Sequence, residues 1–136
     1  MGSALRLCLL GTGKINVRHL KVVRRLRPEM EITVASRSLA AAQAFRRSFN
    51  LEGAFGSYEE ALASPEVDAV LVGTPPKSHL SLVEGCLAAG KSALIEKPVF
   101  NSFAELRALY PRLRDAKGLY MVGENLHYAP FHRRLK

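Results

Sequence analysis

Leu5-Arg6-Leu7-Cys8-Leu9-Leu10-Gly11-Thr12-Gly13-Lys14-Ile15-Asn16 is the stretch whose reading decides the fold. Leu5–Leu10 is an apolar run, broken only by Arg6, of the length and character of a buried strand. It runs directly into Gly11-Thr12-Gly13, and from about Lys14 to Arg27 apolar residues recur every three or four positions until Pro28. That is the pattern of an amphipathic helix. A buried strand, a turn with two glycines and a helix in immediate succession form a phosphate cradle in dinucleotide-binding folds. There the first glycine permits the tight turn, the second admits the pyrophosphate to the backbone, and a third lets helix and strand pack closely. Asn16 stands where the third glycine belongs. The same residues also suit a plain strand-to-helix turn. Lys14 either adds charge beside the phosphates or points to water.

Working outward, apolar runs and helical patterns alternate to the end. Ile32–Ala35 is a β-branched strand, and Ser38 is placed to cap a helix from Leu39 to about Phe49. Ala54-Phe55 is a short strand. Ser57-Tyr58-Glu59-Glu60 has the form of a capping box. Asp68–Val72 is a strand ended by Gly73, Ser78 opens a helix to about Ala89 with Gly90 as its stop, and Ser92–Ile95 is the next strand. Ser102–Ala116 reads as a helix that Pro111 should kink or split, and Leu119–Gly123 is the last strand. Strands alternating with helices predict an α/β domain with a doubly wound, mostly parallel sheet.

Size and composition agree. The 136 residues and 15.0 kDa suit one domain, and 48% apolar with 24% charged residues at near-zero mean hydropathy exclude disorder and coiled coil. No apolar run approaches the roughly 18 residues of a membrane span. Leu7–Leu10 is too short for a signal peptide, so no membrane role and a cytoplasmic location are expected. Cys8 and Cys86 both lie in apolar stretches and read as buried thiols in a reducing compartment. Twenty Lys and Arg against 12 Asp and Glu give a net charge of +8. The densest group, Arg18, Lys21, Arg24, Arg25 and Arg27, alternates with Val17, Leu20, Val23 and Leu26 and reads as a solvated helix face. With no zinc-finger spacing, basic zipper or RNA-binding aromatic signature, nucleic acid is not the expected partner.

About 20 residues beyond the glycine turn, an NAD-binding chain carries Asp or Glu for the ribose hydroxyls. Here Ser36-Arg37-Ser38 stands there instead. A hydroxyl and a guanidinium bind a 2′-phosphate that a carboxylate repels, which favours NADP(H), with NAD(H) the alternative. Ser36 and Ser38 are equally suited to capping the following helix.

Gly73-Thr74-Pro75-Pro76-Lys77-Ser78-His79 follows the fourth strand, and Glu96-Lys97-Pro98 the fifth. With these elements the sequence resembles the glucose–fructose oxidoreductase, inositol dehydrogenase and rhizopine-catabolism (Gfo/Idh/MocA) family. Gly123-Glu124-Asn125-Leu126-His127-Tyr128-Ala129-Pro130 is similar to that family's later Asn-x-x-Phe-x-Pro segment, with Tyr128 as the aromatic. The resemblance implies a Rossmann-type cofactor domain over residues 5–125 of a nicotinamide-dependent oxidoreductase acting on a sugar, cyclitol or related compound. It implies Lys97 as the catalytic residue that hydrogen-bonds the reacting oxygen. Gly11, Thr12, Gly13, Lys14, Ile15, Ser36, Arg37, Thr74, Pro75, His79, Glu96 and Asn125 would bind the cofactor or shape its cleft, and no metal is implied. Read without the family, Lys97 is equally a solvated loop lysine, and His79 a first-turn helix residue. Asn125 and His127 either face the cleft or close the last strand as ordinary polar residues.

The family's substrate domain would begin where residues 126–136 start a connection, so a sugar-like substrate is expected only with a second domain or partner chain. The isolated chain is expected to lack turnover, and the surface facing such a domain favours self-association. A stand-alone, non-catalytic nucleotide-binding module is the alternative.

Overall fold

The computed structural model describes residues 4–125. Among them six strands form one sheet: β1 (Arg6–Leu10), β2 (Glu31–Ala35), β3 (Gly53–Phe55), β4 (Ala69–Val72), β5 (Ser92–Ile95) and β6 (Tyr120–Val122). The spatial order is β3-β2-β1-β4-β5-β6 and every pairing is parallel. The doubly wound α/β expectation therefore holds, with the sheet wholly parallel. Because the strands point one way, every loop that follows a strand opens at one edge of the sheet. The strand order reverses between β1 and β4, the place where open α/β sheets bind ligands.

Five helices cross between the strands: α1 (Lys14–Leu26), α2 (Leu39–Phe49), α3 (Tyr58–Ala63), α4 (His79–Ala89) and α5 (Phe103–Arg114). Alternation along the strands divides the core in two. Leu7, Leu9, Ile32, Val34 and Leu71 pack with Leu20 of α1 and Ala42 and Phe45 of α2. Cys8, Leu10, Val70, Val72, Ala93 and Ile95 pack on the opposite face with Leu62, Val83, Cys86 and Leu109. Both cysteines are buried and unpaired, and burial pushes each thiol up to about 12.

The helix starts follow local side-chain chemistry. Ser38 Oγ accepts from the Ala41 amide, and Ser57 Oγ from the Glu60 amide at 3.0 Å, while Glu60 Oε2 returns to the Gly56 amide. Ser102 and Glu105 repeat the arrangement, with Glu105 reaching the Asn101 amide. Ser78 stands at the start of α4 as expected, at the end of a 3₁₀ turn, Pro76–Ser78, with its hydroxyl on Thr74 Oγ1 and the Pro75 carbonyl and no side-chain cap to the helix. Pro111 does not split α5, which runs through it. The proline lacks the N–H that would meet the Arg107 carbonyl, and both residues lie on the exposed side of the helix.

At the sheet edge remote from the glycine turn, Arg6 and Asp68 tie β1 to the approach of β4. Asp68 accepts from the Arg6 amide at 2.9 Å and from both ends of its guanidinium at 3.0 and 2.8 Å. Those bonds hold the Asp68 carboxyl down at about 2.

Candidate cofactor site

Gly11 leaves β1 with φ +104°, a conformation closed to most side chains, and its amide donates to the Ala35 carbonyl at 2.9 Å. The turn is thereby fastened to the end of β2. Gly13 caps α1 with its backbone only, and a Cβ built there meets nothing within 4 Å. The first turn of α1 carries no acidic residue. A helix N-terminus with no side-chain cap, no acidic residue and open space beside Gly13 suits an anion. These residues fit a dinucleotide's diphosphate.

Asn16 is more than a missing glycine. It is fully buried, and its Nδ2 donates at 2.8 Å to the carbonyls of both Leu10 and Gly11. Its side chain fills the space that a side chain on residue 73 would need, for a Cβ on Gly73 would fall 1.9 Å from Asn16 Oδ1. Here the close approach of helix and sheet is achieved by a glycine at the end of β4 and an asparagine on α1. Nothing local in the sequence pairs those two positions.

Across the switch point, Thr74 is buried beside the turn, with its Cγ2 3.3 Å from a Cβ built on Gly11, and Pro75 is exposed. His79 is wholly enclosed. Its Nε2 meets the Thr74 carbonyl and its Nδ1 the Pro98 carbonyl, each at 2.8 Å. The ring thus bridges the loops after β4 and β5, and both of its nitrogens face backbone. Ser36, at the end of β2, is largely buried with its Oγ toward the Ser38 amide, while Arg37 is exposed. Arg37 lies by Tyr58, whose phenol is raised by burial against the opposing pull of that guanidinium.

Lys97 is exposed at the end of β5, in a turn whose Lys97–Pro98 peptide is cis. Glu96 is bound at both carboxylate oxygens: Oε1 lies 2.5 Å from His19 Nε2 and Oε2 accepts from the Lys97 amide at 3.2 Å. An open cavity of about 550 Å³ brings these groups together, with Ile15, Arg18 and His19 of α1 on one wall. Glu96, Lys97 and Asn125 line the same cavity. Ser36 and Arg37 stand apart, since β2 is three strand spacings from β5, or about 14 Å at the usual separation. An extended dinucleotide crosses such a distance. His19 is the site residue that the sequence motifs did not single out. His127, Tyr128 and Pro130 fall outside the described residues.

Residues 5–124 match the model of an oxidoreductase family with an NAD-binding Rossmann fold. The chain belongs to the Gfo/Idh/MocA family. Among relatives, trans-1,2-dihydrobenzene-1,2-diol dehydrogenase of Sus scrofa is 37% identical over 122 residues, covering 88% of this chain and 36% of that protein. A crystal structure of an oxidoreductase from Thermotoga maritima superposes with a TM-score of 0.89 at 28% identity, covering 98% of this chain and 42% of that one. Scyllo-inositol dehydrogenase from Lactobacillus casei, solved with NAD(H) and scyllo-inositol, shares the fold at a TM-score of 0.85 and 18% identity, covering 98% of this chain and 40% of its own. The chain therefore spans little more than a third of the length of curated relatives such as the Sus scrofa dehydrogenase. Residues 5–124 are the family's dinucleotide-binding domain. Among the described residues no helix is long and apolar enough to cross a membrane, and no cluster of His, Cys, Asp or Glu is placed to hold a metal ion.

Proposed function

We propose that this domain binds NADP(H) in preference to NAD(H) and presents Lys97 to the reacting oxygen of a ring alcohol or its ketone. The observation that carries the reading is the shared cavity: the wall of α1 that follows the phosphate turn faces Glu96, Lys97 and Asn125. A dinucleotide whose diphosphate lies on Gly11–Ile15 has its far end directed there. When bound, the nicotinamide supplies or accepts the hydride. Lys97 Nζ holds the substrate oxygen, giving a proton to a carbonyl in reduction and taking one from a hydroxyl in oxidation. Thr74 and Pro75 wall the cleft. Arg37 and Ser36, with no carboxylate between residues 31 and 52, receive the 2′-phosphate.

The substrate class we infer is a cyclic compound with neighbouring hydroxyls, such as a sugar, cyclitol or dihydrodiol. Dihydrobenzenediol and scyllo-inositol, named for the relatives above, share that chemistry. Hydride transfer requires the reacting carbons about 3–3.5 Å apart, and the described residues offer one open wall. We assign the substrate contacts to residues outside 5–125, with 126–136 leading to them, and expect no turnover from the 136-residue chain. A cytoplasmic location accords with two unpaired thiols. Self-association would use apolar surface such as Leu26, Met121 and Val122, all exposed.

Calorimetric titration with NADPH and NADH tests the reading. Saturable binding that is about tenfold or more tighter for NADPH is expected, from one added charge-assisted contact. Binding of neither coenzyme overturns it. Turnover of a cyclic diol by the 136-residue chain overturns the assignment of substrate contacts.

A further inference from the structure

We propose that His19 is a positioning residue for Lys97, acting through Glu96. The inference rests on the reading of Lys97 above. His19 lies in the second turn of α1, the helix whose first turn faces the phosphate cradle, and reaches across the cavity to a residue 77 positions away in the chain. Its Nε2 stands 2.5 Å from Glu96 Oε1, and both side chains are mostly shielded, at 23% and 16% exposure. The other carboxylate oxygen takes the amide of Lys97. Glu96 is also hemmed in from β6, where a Cβ on Gly123 would lie 3.4 Å from Oε1. The carboxylate therefore has one orientation, set by α1 on one side and the end of β6 on the other, and spends its second oxygen on the backbone that carries the lysine.

That linkage matters because Lys97 itself is exposed, and no hydrogen bond of its ammonium to the described residues holds it in place. A long, flexible side chain is aimed only as well as its backbone is fixed. His79 secures the Pro98 carbonyl from α4, and His19 secures Glu96 and the Lys97 amide from α1. The two histidines grip the turn from opposite faces of the sheet. The His19 contact also ties the turn to the helix that carries the coenzyme's phosphates, so nicotinamide and lysine share one frame.

The test uses His19→Ala and His19→Gln, whose amide N–H can still reach the carboxylate. In the 15N-labelled 136-residue chain, His19→Ala should move the Lys97 amide resonance and speed its exchange with solvent, and His19→Gln should restore both. In a form of the protein that turns over a cyclic diol, His19→Ala should lower kcat about 10- to 100-fold, the effect of a misplaced catalytic group. KM and the coenzyme Kd should change less than kcat, since the contact removed orients the turn that carries Lys97. His19→Gln should recover most of the rate. Unchanged Lys97 signals and kcat in His19→Ala, with coenzyme binding intact, overturn the brace alone. Failure of the unaltered chain to bind either coenzyme overturns the reading beneath it. Should the alanine variant not fold, His19→Asn, too short to span the gap, carries the same expectation.

Discussion

Gly73→Ala tests how the glycine turn is built. The substitution places a methyl 1.9 Å from Asn16 Oδ1, 2.5 Å from its Cγ and 2.8 Å from its Nδ2. No bond rotation that keeps Nδ2 on both carbonyls relieves three such contacts, so the amide must leave. Gly11 O then loses its Asn16 donor. Leu10 O keeps the Gly73 amide at 3.2 Å, so its loss is partial. An orphaned buried acceptor costs about 1–3 kcal/mol and overpacking a similar amount, giving a total of about 2–6 kcal/mol. That is a large fraction of the roughly 5–15 kcal/mol typical of a domain. With a urea m-value of about 2 kcal/mol/M, in the middle of the usual range, the unfolding midpoint should fall by about 1–3 M. Asn16→Gly alone should destabilise through the same carbonyl. Combined with Gly73→Ala it removes the clashing amide, so the double variant should be at least 1 kcal/mol more stable than the sum of the singles requires, as expected for residues in contact. A midpoint for Gly73→Ala within about 0.3 M of the unaltered chain, or strict additivity, would refute the reasoning.

Other perturbations probe separate parts. Ser36→Asp should weaken NADPH about 10- to 100-fold while sparing or improving NADH, a change of about 1.4–2.8 kcal/mol read by fluorescence titration. The depressed Asp68 carboxyl stabilises the fold at pH values above its unfolded value, near 3.9, and that contribution is lost as pH falls through about 2. Urea midpoints of the unaltered chain and Asp68→Asn should therefore differ by a constant amount from pH 7 to 5 and converge between about 4 and 2. A difference that persists at pH 2 would show the carboxylate to be irrelevant. Cys8 and Cys86, enclosed and pushed up to about 12, should resist a thiol reagent in the folded chain and both react in denaturant.

The order of elements was legible because each local signal has a local cause. The five-residue β1 and the periodic α1 declare themselves by hydrophobic spacing, and Ser38 and Ser57 by capping chemistry that spans three residues. Edges shifted by a residue or two, as at Glu31 and Ala69, where a polar flank either joins the ladder or turns out of it. Pro111 lies within α5 and does not divide it, and the Arg107 carbonyl that it leaves without a donor belongs to an exposed residue, which spacing does not reveal. The candidate site was legible where it follows a motif, at Gly11–Ile15, Thr74 and Lys97. It was not legible where two distant positions complete one another. Asn16 fills the room left by Gly73, and His19 meets Glu96 across 77 residues. Neither pair leaves a periodic or compositional trace, since each contact is created only when the parallel sheet closes.

A crystal structure of the chain soaked with NADPH addresses the central claim most directly. The diphosphate oxygens should lie at hydrogen-bond distance, about 2.7–3.2 Å, from backbone amides of residues 12–15, with the 2′-phosphate at Ser36 and Arg37 and the nicotinamide in the cavity beside Lys97. Coenzyme density that bypasses the glycine turn, or a nicotinamide directed away from the Lys97 ammonium, would contradict the account.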